Sequence, residues 1–183
     1  PHHGTPLNPY DRKTGRIPGG SSSGAAVSVT DGMAAVGLGT DTGGSCRIPA
    51  ALTGLTGFKP TAARVPATGA FPLSTTLDSI GGIGRTVNCC AIVDAILSGD
   101  PVYPNERASL AGLRMGVPQT LVLDGMDHDV ASAFQDALRR LSQAGAAIVD
   151  IPFAEFAELA AINAKGGYTA AESYPLHRDM MAR

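Results

Sequence analysis

Ala35-Val36-Gly37-Leu38-Gly39-Thr40-Asp41-Thr42-Gly43-Gly44-Ser45-Cys46-Arg47-Ile48-Pro49-Ala50-Ala51 runs from an apolar stretch through a glycine-rich loop towards a second apolar stretch. Ala34 to Leu38, bounded by glycine, predicts a short buried strand. Gly39 to Ser45 predicts a tight polar loop. Cys46 to Leu52 predicts a short helix, with Pro49 tolerable in its first turn. Paired glycines let successive N–H groups point at one spot, and a helix start adds unpaired N–H groups of its own. Such a loop can bind an anion, or stabilise the oxyanion formed when a serine hydroxyl attacks a carbonyl. Taken alone, such a loop is more often an ordinary turn.

A second loop of the same kind lies upstream, Pro18-Gly19-Gly20-Ser21-Ser22-Ser23-Gly24. It follows an extended, Pro- and Gly-rich segment (1–20) and leads into a predicted helix over 22–31, which Gly32 stops. Gly19 and Gly24 have the spacing of a phosphate loop, but Ala25 and Ala26 stand where Lys and Ser/Thr are needed. Gly20-Ser21-Ser22-Ser23-Gly24 matches a nucleophile elbow in letters only, because Ile17-Pro18-Gly19 is no strand. Gly37-Leu38-Gly39 lacks the third glycine of a dinucleotide fingerprint, since Thr42 holds that place.

Beyond these loops, Leu55 to Phe58 predicts a strand, 61–85 reads as irregular, and Thr86 to Leu97 has a helical period. Residues 98–112 read as a connection. Leu113 to Val117 and Ala147 to Ile151 read as strands. Between them, Val130, Phe134, Leu138 and Leu141 form one face of a helix over 127–143, capped by Asp127 and stopped by Gly145. Strand, helix, strand predicts a βαβ unit with parallel strands. Phe156 to Glu172 is expected to be helical.

Composition narrows the function classes. The 183 residues carry 14 Lys+Arg against 16 Asp+Glu, a net charge of −2, which argues against nucleic acid as a partner. No apolar run approaches 18 residues, so no membrane span is expected. Three cysteines, with Cys89 and Cys90 adjacent, make no disulfide framework, and a reducing, cytoplasmic setting is the default. No His/Cys/Asp/Glu cluster has metal-ligand spacing, and neither metal nor cofactor is expected. Cys46 beside Ser45 reads as a nucleophile or, more commonly, a small buried hydrophobe. His2, His3, His128 and His177 carry no motif and read as surface residues. Of the 23 glycines, 16 lie in residues 1–84, which sets the first half of the chain apart.

Taken together, Pro18 to Ala26, Ala35 to Ala51 and Gly57-Phe58-Lys59-Pro60-Thr61 closely resemble the amidase signature family. Gly4-Thr5-Pro6, Asn8-Pro9, Leu77 to Gly81 and Gly84 to Val87 are similar as well. The resemblance is strong over 1–98 and loose beyond. Ser23 and Ala25 stand where many members have Gly and Ser, and Gly82 where Pro is frequent, which suggests a subgroup. The resemblance implies an α/β/α fold with a mixed central sheet flanked by helices. The chain is then expected to be one incomplete domain over 1–183, with a signature core (1–98) followed by a connection, the βαβ unit and a C-terminal helix (99–183).

It also implies a Ser–cisSer–Lys hydrolase of carboxamide C–N bonds acting through an acyl-enzyme. By the family's motifs, Ser45 is the nucleophile and Ser21, after a cis peptide bond, the bridging serine. The backbone N–H groups of Thr42, Gly43, Gly44 and Ser45 form the oxyanion hole, and Ser22, Asp41 and Arg47 support it. The family's catalytic Lys lies well before the first serine loop. Lys13, Lys59 and Lys165 do not match it, so the base is expected to lie outside this chain, which should be an inactive internal fragment. The expected partner is a small-molecule amide, with a homodimer open to the full-length protein. Two other readings remain: a non-catalytic member or amidotransferase-type component of a larger complex, and a phosphate-binding module.

Overall fold

The computed structural model describes residues 4–103 and 108–182. His2, His3 and part of the connection expected over 98–112 lie outside them. The chain is mixed α/β and divides into two compact units, residues 1–105 with 168–183, and residues 106–167. No helix of the described residues is long and apolar enough to cross a membrane.

The first unit is built on a three-stranded antiparallel sheet in the order β1-β3-β2, made of β1 (Val36–Asp41), β2 (Thr56–Phe58) and β3 (Ser79–Gly84). Helix α1 (Ser23–Thr30) precedes β1, α2 (Arg47–Leu52) links β1 to β2, and α3 (Val87–Ser98) follows β3. The central strand replaces part of the irregular stretch expected over 61–85. Ser79-Ile80-Gly81-Gly82-Ile83-Gly84 is half glycine, so its strand propensity is poor. Packing explains the composition: a Cβ on Gly84 would sit 2.7 Å from the Cβ of Cys89, and one on Gly82 would sit 3.1 Å from Val93. Glycine lets α3 lie directly on the strand.

Ala26, Cys46, Ala50 and Ile83 form the core cluster, joining α1 and α2 to β3. Apart from Ile83 these are small side chains, and close approach of backbone layers supplies much of the packing. Thr86 caps α3 by accepting from the Cys89 N–H, and Gly99 ends the helix in the left-handed region.

The second unit holds β4 (Arg114–Pro118), α4 (His128–Gln143) and β5 (Ala147–Ile151), with β4 and β5 parallel, as the spacing predicts. Asp127 caps α4 by accepting from the Val130 N–H at 2.9 Å. The helix expected over 156–172 is broken. A 3-10 turn (Ala154–Glu158) and α5 (Leu159–Ile162) end before Gly166 and Gly167, both at positive φ. From Tyr168 the chain rejoins the first unit in α6 (Gly167–Met181).

Candidate active site

The two glycine–serine loops meet. The Ser22 N–H donates to the Ser45 carbonyl at 3.2 Å, and the Ser22 hydroxyl donates to the Thr40 carbonyl at 3.4 Å. The first loop therefore lies against the end of β1 and the start of α2, where the second loop sits. Gly39 makes this contact possible. A Cβ there would fall 2.5 Å from Ser22 Oγ and 2.8 Å from Cys46 Sγ, closer than atoms approach. The Gly20–Ser21 peptide bond is cis. Ser21 is exposed and Ser45 half-buried, and neither hydroxyl has a hydrogen-bond partner among the described residues.

Asp41 organises the second loop. It ends β1 with its side chain fully buried, and its carboxylate collects donors from the turn that follows. Oδ1 accepts from the Gly44 N–H at 2.7 Å, and Oδ2 from the Cys46 N–H at 3.1 Å. Arg47 closes the arrangement with two parallel bonds, Nε to Oδ2 at 3.0 Å and Nη2 to Oδ1 at 2.9 Å. Burial pushes the Asp41 carboxyl up, but Arg47 and the two N–H groups outweigh it and hold the carboxyl below its ordinary value. The Gly44 carbonyl in turn accepts from the Ile48 N–H at 2.7 Å, fixing the loop to α2. Among the described residues, the N–H groups of Thr42, Gly43 and Ser45 find no protein acceptor.

The Amidase family model matches residues 1–182. The chain belongs to the Amidase family. It is 43% identical over 175 residues to 2-amino-5-chloromuconic acid deaminase of Comamonas testosteroni, covering 93% of this chain and 37% of that protein. It is 43% identical over 157 residues to a component of the glutamyl-tRNA(Gln) amidotransferase of Roseiflexus castenholzii, covering 79% of this chain and 32% of the relative. Among solved structures, the corresponding glutamyl-tRNA(Gln) amidotransferase component of Thermotoga maritima superposes with a TM-score of 0.82 at 31% identity, over 96% of this chain and 40% of that one. The chain thus spans 32% to 40% of the length of these relatives.

Within this Amidase chain, the other groups raised by the sequence are placed as follows. Cys46 is fully buried, and burial, with Asp41 nearby, pushes its thiol up to about 11. It is a packing residue and no nucleophile. Lys59 donates to the Pro60 carbonyl at 2.6 Å and to Ser79 Oγ at 3.4 Å. Lys13 is exposed, and Lys165 belongs to the second unit. His128 is exposed at the start of α4. His177 stacks on Phe71 with ring centroids 4.8 Å apart, and its Nε2 lies 2.8 Å from the Pro72 carbonyl. A carbonyl only accepts, so that nitrogen carries the proton.

The fold adds one residue that sequence reading left without a role. Asp78 receives the Thr42 hydroxyl at 2.5 Å and the N–H groups of Leu73 and Ser74 at 2.8 and 3.0 Å. The segment Leu77 to Gly81 is family-like in its letters, but nothing in it announces a contact across 36 residues.

Proposed function

We propose that the protein containing this chain is a serine amidase. It splits the C–N bond of a small-molecule carboxamide through an acyl-enzyme, with Ser45 as nucleophile and Ser21 as bridging serine. The supporting observation is the bond from the Ser22 N–H to the Ser45 carbonyl. It makes one backbone assembly of the two loops that carry these serines.

In this reading a neutral lysine draws a proton through Ser21 while Ser45 Oγ attacks the amide carbon. The oxyanion is received by the N–H groups of Thr42, Gly43 and Ser45. The Gly44 N–H is spent on Asp41 and braces the loop instead. Ser21 then passes the proton to the leaving nitrogen, which departs as ammonia or an amine. Water cleaves the acyl ester, giving the carboxylate and restoring Ser45. Lys59 is committed to Pro60 and Ser79, and we assign the base to a lysine outside residues 1–183. These residues alone are therefore expected to be inactive. The three free cysteines suit a reducing, cytoplasmic setting.

A serine-directed fluorophosphonate probe tests the assignment on the full-length protein. Ser45 should be labelled, and Ser45→Ala should abolish labelling. Absence of labelling, or labelling that survives the substitution, overturns it. The 43% identity to an amidotransferase component favours a second reading, an amide-hydrolysing component that works within a larger complex. Turnover of a carboxamide by the purified full-length protein alone decides for the free enzyme.

A further inference from the structure

β1 and β3 pair with Asp41 opposite Ser79 as their last pair. One step beyond, the same register sets Thr42 opposite Asp78, and the Thr42 hydroxyl is bonded to the Asp78 carboxylate. All three bonds to Asp78 come from the protein: Thr42 uses Oδ1, while the Leu73 and Ser74 N–H groups share Oδ2. The carboxylate is thus engaged on both oxygens, although it also lines a cavity of about 380 Å³ with Thr40, Phe71 and Ile80. The segment that supplies those N–H groups is itself held from α6. Glu172 accepts from the hydroxyls of Ser74 and Thr76 and from the Thr76 N–H, and His177 bonds the Pro72 carbonyl. A chain of bonds therefore runs from α6 through the 72–78 segment to the loop that carries Ser45. Burial pushes the Asp78 carboxyl up, but the bonds from Thr42, Leu73 and Ser74 hold it below its ordinary value, so it stays charged at neutral pH.

We propose that Asp78 is a positioning residue of the reaction. Through the Thr42 hydroxyl it fixes the peptide of Thr42, and so aims the N–H groups that receive the oxyanion. This role rests on Ser45 as the nucleophile and on Thr42 as a donor to the oxyanion. Asp78 touches no reacting atom: its effect is on the rate of acylation and not on substrate binding. Misplacing a reacting group by about 1 Å can cost on the order of 100-fold in rate.

The test uses the full-length protein with Asp78→Asn, Thr42→Val and the double variant. It measures kcat and KM for a carboxamide and the rate of fluorophosphonate reaction at Ser45. Each single variant should lower kcat and the labelling rate by about 10- to 100-fold with KM unchanged. The double variant should be no slower than the worse single one, because both remove the same bond. Thr42→Ser, which restores the hydroxyl, should recover rate relative to Thr42→Val. Unchanged rates, additive losses, or an effect confined to KM overturn the proposal, the last by making Asp78 a substrate contact. Should Asp78→Asn fail to fold, Thr42→Val carries the test alone. Ser45→Ala run in parallel separates the two claims. Labelling that survives it removes the Ser45 reading, whereas labelling abolished there but undiminished in Thr42→Val removes this proposal alone.

Discussion

The N–H of Ser22 donates to the carbonyl of Ser45 at 3.2 Å, joining the two glycine–serine loops through their backbones. The join leaves the side chains of Ser21 and Ser45 uncommitted to other protein groups among the described residues. Four consequences of the surrounding packing can be measured.

Gly39→Ala places a methyl group 2.5 Å from Ser22 Oγ and 2.8 Å from Cys46 Sγ. Both neighbours must move, and overpacking of this kind costs about 1–3 kcal/mol. Urea unfolding should show that loss, and Ser45 labelling in the full-length protein should fall because the first loop is pushed off the second. A variant with wild-type stability and labelling would show that the loops tolerate separation.

Asp41→Asn replaces one acceptor oxygen by a donor facing N–H groups that need an acceptor. A hydrogen bond to a charged group contributes about 1.5–3 kcal/mol. Arg47 is half exposed and can turn to water, which limits the damage on its side. The expected loss is about 2 kcal/mol in chemical denaturation. A neutral result would mean that Asp41 does not brace the loop.

Cys46 has no exposed surface, and its thiol is pushed up to about 11. Native protein treated with iodoacetamide at mildly alkaline pH should stay unmodified at Cys46. Cys89 is partly exposed, and the Thr86 side chain bonded to it lowers its thiol, so it should react first. Peptide mass spectrometry reads both sites, and early modification of Cys46 would contradict its packing role.

Glu172 is held down to about 2 by the hydroxyls of Ser74 and Thr76 and the Thr76 N–H, against an ordinary value of 4.5. A depressed carboxyl stabilises the fold fully above its unfolded value, and the contribution disappears as pH falls through the folded one. The clamp of α6 on the 72–76 segment should therefore weaken between about 4.5 and about 2. Hydrogen exchange at the Thr76 N–H should lose protection across that window in the native protein. In Glu172→Gln protection should be lower and nearly independent of pH above it.

Much of this was legible in the sequence, and for local reasons. α1 follows from the serines at its start and the Gly32 stop, α3 from its helical period, α4 from its periodic face and the Asp127 cap, and β4 and β5 from the spacing of a βαβ unit. Each serine loop alone could have been an ordinary turn, and both were visible because Pro18 to Ala26, Ala35 to Ala51 and Gly57 to Thr61 together carry one family pattern. The break at Gly166–Gly167 was written there too, but the apolar residues before it suggested one continuous helix. β3 was not legible, because three of its six residues are glycine and strand propensity counts side chains that this strand does without.

What the sequence determined by itself is the pair of loops and the family whose pattern they carry, since these depend on residues that are near neighbours in the chain. The tertiary structure alone decided which N–H groups of the second loop are spent and which remain. That choice depends on Asp41 turning back onto Gly44, on the register that sets Thr42 against Asp78, and on α6 holding the 72–78 segment from almost 100 residues away. The bond of Asp41 to Gly44 is local, but the other two join residues 36 and 98 apart in the chain, and hydrogen bonding at that distance is fixed by packing geometry that no local pattern encodes.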